Sequence, residues 1–152
     1  MPNSTVRPPS PVRPSSARLS TVRPWTLVVF RTVVTCEAVL ALGQAVLAGS
    51  FLSGHYEALD LHALNATATG LTALAQIVAA LLLWRPGGGP GWPVLAGIAL
   101  FAVEAGQIAM GYGRALAVHV PLGVAIIAGT LLMLVWAWRP AAGPERAAGA
   151  DA

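Results

Sequence analysis

Four long apolar segments alternate with short polar or glycine- and proline-rich connections along the chain. They run from Trp25 to Gly49, Leu61 to Trp84, Trp92 to Met110 and Leu116 to Trp138. A helix needs roughly 20 residues to cross the hydrocarbon core of a bilayer, and each segment is close to this length. The pattern predicts an all-α membrane protein with a membrane domain at 25–138.

The connections are short and lack residues that could form further elements. Ser50 to Asp60 is polar, Arg85 to Gly91 is rich in glycine and proline, and Gly111 to Arg114 is a tight turn. Helices joined by short connections pack antiparallel to their neighbours. We therefore expect an up-down four-helix transmembrane bundle.

The composition favours a membrane protein and gives no support for nucleic-acid binding. Of 152 residues, 56% are hydrophobic and only 10% are charged, whereas a soluble domain carries about 25% charged residues. All nine basic residues are arginine, and the net charge is +3. The arginines lie mostly at the ends of apolar segments and in the N-terminal segment, without forming a basic face, so they are expected to set membrane orientation.

The arginines predict that both termini are cytoplasmic and that the protein spans the plasma membrane. Residues 1–24 are rich in proline, serine and arginine and are expected to form a disordered tail, and 139–152 a short second tail. Four spans place both tails on one side. That side or its edge holds every arginine but Arg114: Arg7, Arg13, Arg18, Arg23, Arg31, Arg85, Arg139 and Arg146.

Polar residues recur on one face of the second segment. They are spaced three or four positions apart, as residues on one side of a helix are: His62, Asn65, Thr69, Thr72 and Gln76. Such a face on an otherwise apolar helix needs a protected interior. The fourth segment has a compatible face: His119, Gly123, Ile126, Thr130 and Met133.

The two halves of the chain share an ordered set of residues. Each half has a glutamate, a Gly-Gln pair, a histidine after the next turn, and Trp-Arg-Pro at its end. The first set is Glu37, Gln44, His62 and Trp84 to Pro86, and the second is Glu104, Gln107, His119 and Trp138 to Pro140. The order predicts an internal repeat of two parallel helix pairs.

His62 and His119 are the candidate cofactor ligands. Each lies near the start of its helix, about 5–8 Å below the outer membrane boundary at 1.5 Å rise per residue. The second and fourth helices are diagonal in an up-down bundle, so the two imidazoles are expected to face each other. Two facing histidines are suited to hold haem iron, with Gln44 and Gln107 hydrogen-bonding the imidazoles. The alternative interpretation is a pair of interfacial histidines bonded to loop carbonyls or water.

Each half of the chain resembles the helix-pair motif of the haem A synthase family. The first half does so through Gln44-Ala-Val-Leu-Ala and Leu61-His62, and the second through Gln107-Ile-Ala-Met-Gly and Val118-His119-Val-Pro-Leu-Gly. The resemblance covers roughly Glu37 to Trp138, which corresponds to one four-helix half of that eight-span family. It implies a haem held between histidines on the second and fourth helices, at His62 and His119. The carboxylate and arginine that accompany a family histidine have no counterpart beside His62. The resemblance therefore extends to haem binding and not to the family's oxidation chemistry.

Glu37 and Glu104 are acidic residues inside predicted spans. A charged side chain within the membrane is costly and is a functional-site hypothesis by default. The two glutamates could carry protons, or remain neutral and join helices by hydrogen bonds, and the pattern favours the second role. In the outer loop, His55, Glu57 and Asp60 lack a recognised metal-ligand spacing and are expected to be solvated.

The sequence favours a small membrane protein that binds haem b for electron transfer or haem handling. Its expected partners are the lipid bilayer and a membrane redox partner or a second copy of the chain. No set of nucleophile and base is apparent, and the lone Cys36 lies in an apolar segment, so an enzyme is not favoured. The rival hypothesis is a cofactor-free structural or partner-binding membrane protein. A proton-coupled carrier using both glutamates is a weaker third, because two helix pairs leave little room for alternating access.

Overall fold

The computed structural model describes residues 22–139, and four α-helices account for nearly all of them. The helices are α1 (Pro24–Leu52), α2 (Ala58–Trp84), α3 (Trp92–Tyr112) and α4 (Leu116–Trp138). Each is long and apolar enough to cross a membrane. The predicted all-α class, with four helices suited to crossing a membrane, is confirmed. Most of the predicted tails at 1–24 and 139–152 lies outside the described residues, including Arg7, Arg13, Arg18 and Arg146.

The helices extend further than hydrophobicity alone predicts. α1 continues to Leu52 and α2 begins at Ala58, so both take residues from the predicted polar connection. Backbone hydrogen bonds explain the extension. A helix pairs its own N–H and C=O groups even where it leaves the apolar region, and its polar side chains can point to water there. The chain reverses at Gly54, whose φ of 97° is a conformation that favours glycine.

Each helix packs against two others and faces the fourth across the interior. α1 packs on α2 and α4, and α3 packs on the same two helices. Within the described residues, α1 and α3 are one diagonal pair, and α2 and α4 are the other. The start of α1 lies beside the end of α4, where Arg31 Nε donates to the carbonyl of Ala137 at 2.8 Å. Residues on diagonal helices can therefore meet only in the centre of the bundle.

A cluster of buried hydrophobic side chains lies at one end of the bundle, which we name the tryptophan end after Trp25, Trp84, Trp92, Trp136 and Trp138. Phe30, Val34, Ala80 and Leu83 are fully buried near this end. The Trp136 ring meets the Phe30 ring edge-on at 6.0 Å and the Trp92 ring at 4.6 Å between centroids. Because lipid is as apolar as the core, close packing between small and aromatic residues holds these helices together.

A buried glycine joins the turn between α2 and α3 to the start of α1. The carbonyl of Gly87 accepts a hydrogen bond from the backbone N–H of Arg23 at 3.0 Å. A Cβ at Gly87 would collide with the carbonyl oxygens of Leu82 and Leu83 and with the hydroxyl of Thr26. Two of these three atoms belong to the backbone and cannot move aside without shifting the helix.

We expect Gly87→Ala to destabilise the bundle by about 1–3 kcal/mol, because an inserted methyl group in a packed site forces the backbone to shift. The measurement is the apparent Tm of the full chain in detergent. Gly49→Ala is the matched control, since Gly49 is an exposed residue of α1 and a Cβ there meets no atom within 4 Å. Helix propensity predicts that this control is neutral or slightly stabilising. Equal losses in both variants would contradict the packing role of Gly87.

Candidate functional site

The structure brings His62 and His119 together in the interior, at the end of the bundle opposite the tryptophans. Their ring centroids are 6.3 Å apart, and the ring planes are inclined at 63°. The residues lie on the diagonal helices α2 and α4, so no direct helix–helix packing brings them together. Both side chains are half-buried. We name this region the histidine end.

Each imidazole is anchored in the same way on a neighbouring helix. Nδ1 of His62 lies 3.2 Å from the backbone carbonyl of Gln44 on α1. Nδ1 of His119 lies 2.9 Å from the backbone carbonyl of Gln107 on α3. A ring that donates from Nδ1 to a carbonyl has its tautomer and orientation fixed, and its Nε2 is then the free acceptor.

The side chains of the two glutamines also lie beside the histidines. The Gln44 amide satisfies its neighbours when its nitrogen donates to the backbone carbonyl of His62 at 3.1 Å and its oxygen accepts from Ala66 N–H at 2.9 Å. The same nitrogen lies 2.9 Å from Nδ1 of His62, to which it donates only in the tautomer whose Nδ1 carries no hydrogen. On the other side, Gln107 Nε2 lies 3.4 Å from Nε2 of His119. The two glutamines therefore contact different ring nitrogens, although their backbone carbonyls contact equivalent ones.

Two glycines make room for this cluster. A Cβ at Gly111 would lie 3.0 Å from Cε1 of His119, and a Cβ at Gly123 would lie 2.8 Å from Nε2 of Gln107. Gly111 thus lets the imidazole lie directly against α3, and Gly123 lets the Gln107 amide reach the ring. An open apolar groove of about 360 Å³ lies at the same level, between α1 and α2, and is lined by Leu47, Leu61, Leu64, Asn65 and Ala68.

The polar face of α2 points inward, but only part of it joins helices. Asn65 Nδ2 donates to the carbonyl of Leu40 on α1 at 2.9 Å. Thr69 and Thr72 donate instead to carbonyls of α2 itself, four residues earlier. Gln76 is fully buried and neither amide atom has a hydrogen-bond partner. Short hydroxyl side chains reach their own helix more easily than another, which sequence spacing alone does not reveal.

A second diagonal pair lies deeper in the bundle. Glu37 on α1 is 0% exposed and Glu104 on α3 is 3% exposed. The two carboxyl groups interact with each other across the bundle axis. Apart from this interaction, none of the four carboxyl oxygens has a hydrogen-bond partner in the described chain. The sequence predicted that both glutamates lie inside the membrane domain and join helices, but not that they meet each other. Their similar distances from the starts of α1 and α3 could have revealed it by the reasoning used for the histidines.

The outer loop shows no assembled metal site. His55 Nδ1 and Glu57 Oε1 are 3.8 Å apart, with both side chains exposed. Between residues 22 and 139, no group of three or more histidine, cysteine, aspartate or glutamate residues is placed to hold a metal ion. Cys36 is exposed on the outer surface of α1.

Comparison with known proteins gives no relative from which a function could be transferred. No protein-family model matches the chain, and neither a curated protein nor a solved structure matches it. The functional argument therefore depends on the geometry of the two diagonal pairs.

We expect Asn65→Leu to destabilise the bundle by about 0.6 kcal/mol and by no more than about 1.7 kcal/mol, the range of interhelical hydrogen bonds in membranes. The measurement is again the apparent Tm in detergent. Thr67→Val is the control, because Thr67 is exposed and its hydroxyl bonds only within α2. A loss no larger than that of the control would show that the Asn65 bond to Leu40 does not hold α1 and α2 together.

Proposed function

We propose that the protein is a small haem-binding bundle of the membrane, with His62 and His119 as the two axial ligands. One observation carries the proposal: the two imidazoles lie 6.3 Å apart, between centroids, on diagonal helices. A haem-binding role in electron transfer or haem handling follows from the chemistry of the ligand pair. Two structural histidines would not need to face each other.

The separation of the rings fits two ligands on opposite sides of one iron. Imidazole nitrogen binds metal at about 2 Å, which places the centroids of two opposed rings about 6 Å apart. The inclination of 63° is compatible with this arrangement, because two axial rings can take any rotation about the line through the metal. The distance between the two rings and their placement on diagonal helices therefore both fit two ligands of one iron.

The neighbouring residues orient the ligands and leave one adjustment to be made. The carbonyls of Gln44 and Gln107 lie beside the two Nδ1 atoms, and rings that donate from Nδ1 to these carbonyls would ligate through Nε2. The Gln107 amide now lies 3.4 Å from Nε2 of His119 and must turn aside when a ligand occupies that position. A haem held here would supply a one-electron couple close to one membrane boundary.

The resemblance to the haem A synthase family agrees with this assignment and stays a prediction. It implies the same two ligand positions, and Gln44 and Gln107 belong to the segments that carry it. The oxidation chemistry of that family is not proposed for this chain, since the acidic and basic residues that accompany the family histidine are absent beside His62. The partners proposed are the bilayer and a membrane redox partner or a second copy of the chain.

The proposed architecture is an up-down bundle of two repeated helix pairs in the plasma membrane, with both termini in the cytoplasm. Short connections support the up-down order. Equivalent Nδ1-to-carbonyl contacts in the two halves support the repeat. The orientation is supported by the arginine distribution, in which only Arg114 falls at the histidine end.

The haem proposal predicts a reduced-minus-oxidised spectrum with Soret and α bands for the full chain purified from a haem-sufficient host. His62→Ala and His119→Ala should each lose or strongly shift these bands, because each removes an axial ligand. His55→Ala is the matched control and should keep the wild-type spectrum, since His55 is exposed in the loop.

Two results would count against the proposal. A wild-type protein without bands would favour the cofactor-free structural or partner-binding hypothesis. Bands that persist unchanged in both ligand variants would show that haem binds elsewhere.

The proposed orientation predicts which connections an impermeant thiol reagent can reach in intact cells. In a Cys36→Ser background, Ser53→Cys between α1 and α2 should react, whereas Pro86→Cys between α2 and α3 should react only after lysis. Both positions are exposed, so accessibility differs only by membrane side. The reverse pattern would place the termini outside.

A further inference from the structure

The paired carboxyl groups of Glu37 and Glu104 form a polar centre that haem ligation does not use. The two glutamates are on α1 and α3, while the histidines are on α2 and α4. Glu37 is 0% exposed, Glu104 is 3% exposed, and the two carboxyl groups interact with each other. Gln76 on α2 is also fully buried with both amide atoms unpartnered, so the interior holds further unused hydrogen-bonding capacity.

No cation in the described chain neutralises the pair. α2 and α4 have no titratable side chain between the histidines and the tryptophan end, and the polar groups they bury are Thr69, Gln76 and Thr130. The one basic residue within α1, Arg31, bonds instead to the carbonyl of Ala137 and lies over the Trp138 ring. Two ionised carboxylates in contact would repel each other strongly in this apolar setting.

A proton shared by Glu37 and Glu104 removes the repulsion between their carboxyl groups. A carboxylic acid O–H donates to a carboxylate or to the carbonyl oxygen of a second acid, so one or two protons satisfy oxygens that otherwise lack partners. The same residues without a proton would leave a buried, unpaired double charge, which membranes and protein interiors do not tolerate.

A polar side chain connects the pair to the histidine end. Gln107 lies three residues after Glu104, on the same face of α3. Its Oε1 is buried without a partner, and its Nε2 contacts His119, which is half-buried. Towards the tryptophan end, by contrast, the interior is closed by Phe30, Val34, Ala80 and Leu83.

We propose that Glu37 and Glu104 together form a binding site for an exchangeable proton inside the membrane domain, reached from the histidine end past Gln107. The ligand is a proton, held in a hydrogen bond between the two carboxyl groups. When the pair holds two protons, one leaves for water at the histidine end and later returns, while the other stays in the hydrogen bond, so the pair never carries two negative charges. The site goes beyond haem binding and does not require a haem to be present.

Infrared spectroscopy of the haem-free full chain in lipid nanodiscs at neutral pH tests the proposal. A protonated buried carboxyl gives a C=O stretch that ionised carboxylates lack and that shifts in D₂O. We expect this band in the wild type, its loss in the Glu37→Gln/Glu104→Gln variant, and its retention in Glu57→Gln, whose carboxyl is exposed in the loop. Glu37→Gln alone and Glu104→Gln alone should each change the band, so the proposal can still be tested if the double variant fails to fold.

The rate of the D₂O shift tests the path. Gln107→Leu should slow the shift several-fold, while Gln76→Leu, nearer the tryptophan end, should leave its rate unchanged. Absence of the band in the wild type would overturn the proton site and would be the result for an ionised pair holding a metal cation. A band that never shifts in D₂O would indicate a fixed structural hydrogen bond. Equal rates in Gln107→Leu and wild type would overturn the path.

Discussion

The main constraint on this structure is that polar side chains within a membrane bundle must find partners inside it. Lipid offers none, and an unpaired polar group there is costly. The chain leaves Gln76 without a partner, but elsewhere it meets the constraint with two contacts across the bundle axis, one between imidazoles and one between carboxyl groups. The first joins α2 to α4, and the second joins α1 to α3. Together they link every helix to the one it does not pack against.

The two pairs differ in what surrounds them, and this difference suggests different chemistry. The histidines have backbone carbonyls and glutamine amides around them and lie half-exposed near one boundary. Their rings are oriented by anchored Nδ1 atoms, as expected for ligands with a defined direction. The glutamates are fully buried with no anchor except each other. Such a pair is suited to holding a proton rather than a rigidly placed group.

Much of the fold could be predicted from the sequence, because hydrophobic length determines where a helix crosses a membrane. α4 begins and ends at the predicted residues, Leu116 and Trp138. α1 and α2 extend into the polar connection, since hydrophobicity marks the membrane boundary and backbone hydrogen bonds mark the end of a helix. The approach of His62 to His119 followed from their equal depth on diagonal helices.

Other contacts could not be predicted, because side-chain direction is set by packing. Nothing in the spacing shows that Thr69 bonds within α2 while Asn65 bonds to α1. The burial of Gly87 against Thr26 depends on how the turn folds back onto α1. The interaction between Glu37 and Glu104 could have been predicted from their similar depth. That no cation neutralises the pair became clear only from the position of Arg31, which bonds to the carbonyl of Ala137.

The haem proposal requires that His62 and His119 bind one iron from opposite sides. Electron paramagnetic resonance of the oxidised full chain tests it directly, because two imidazole ligands give low-spin ferric haem. We expect a low-spin signal that becomes high-spin, or disappears, when either histidine is replaced by alanine. A high-spin signal in the wild type, or no ferric haem signal at all, would contradict it.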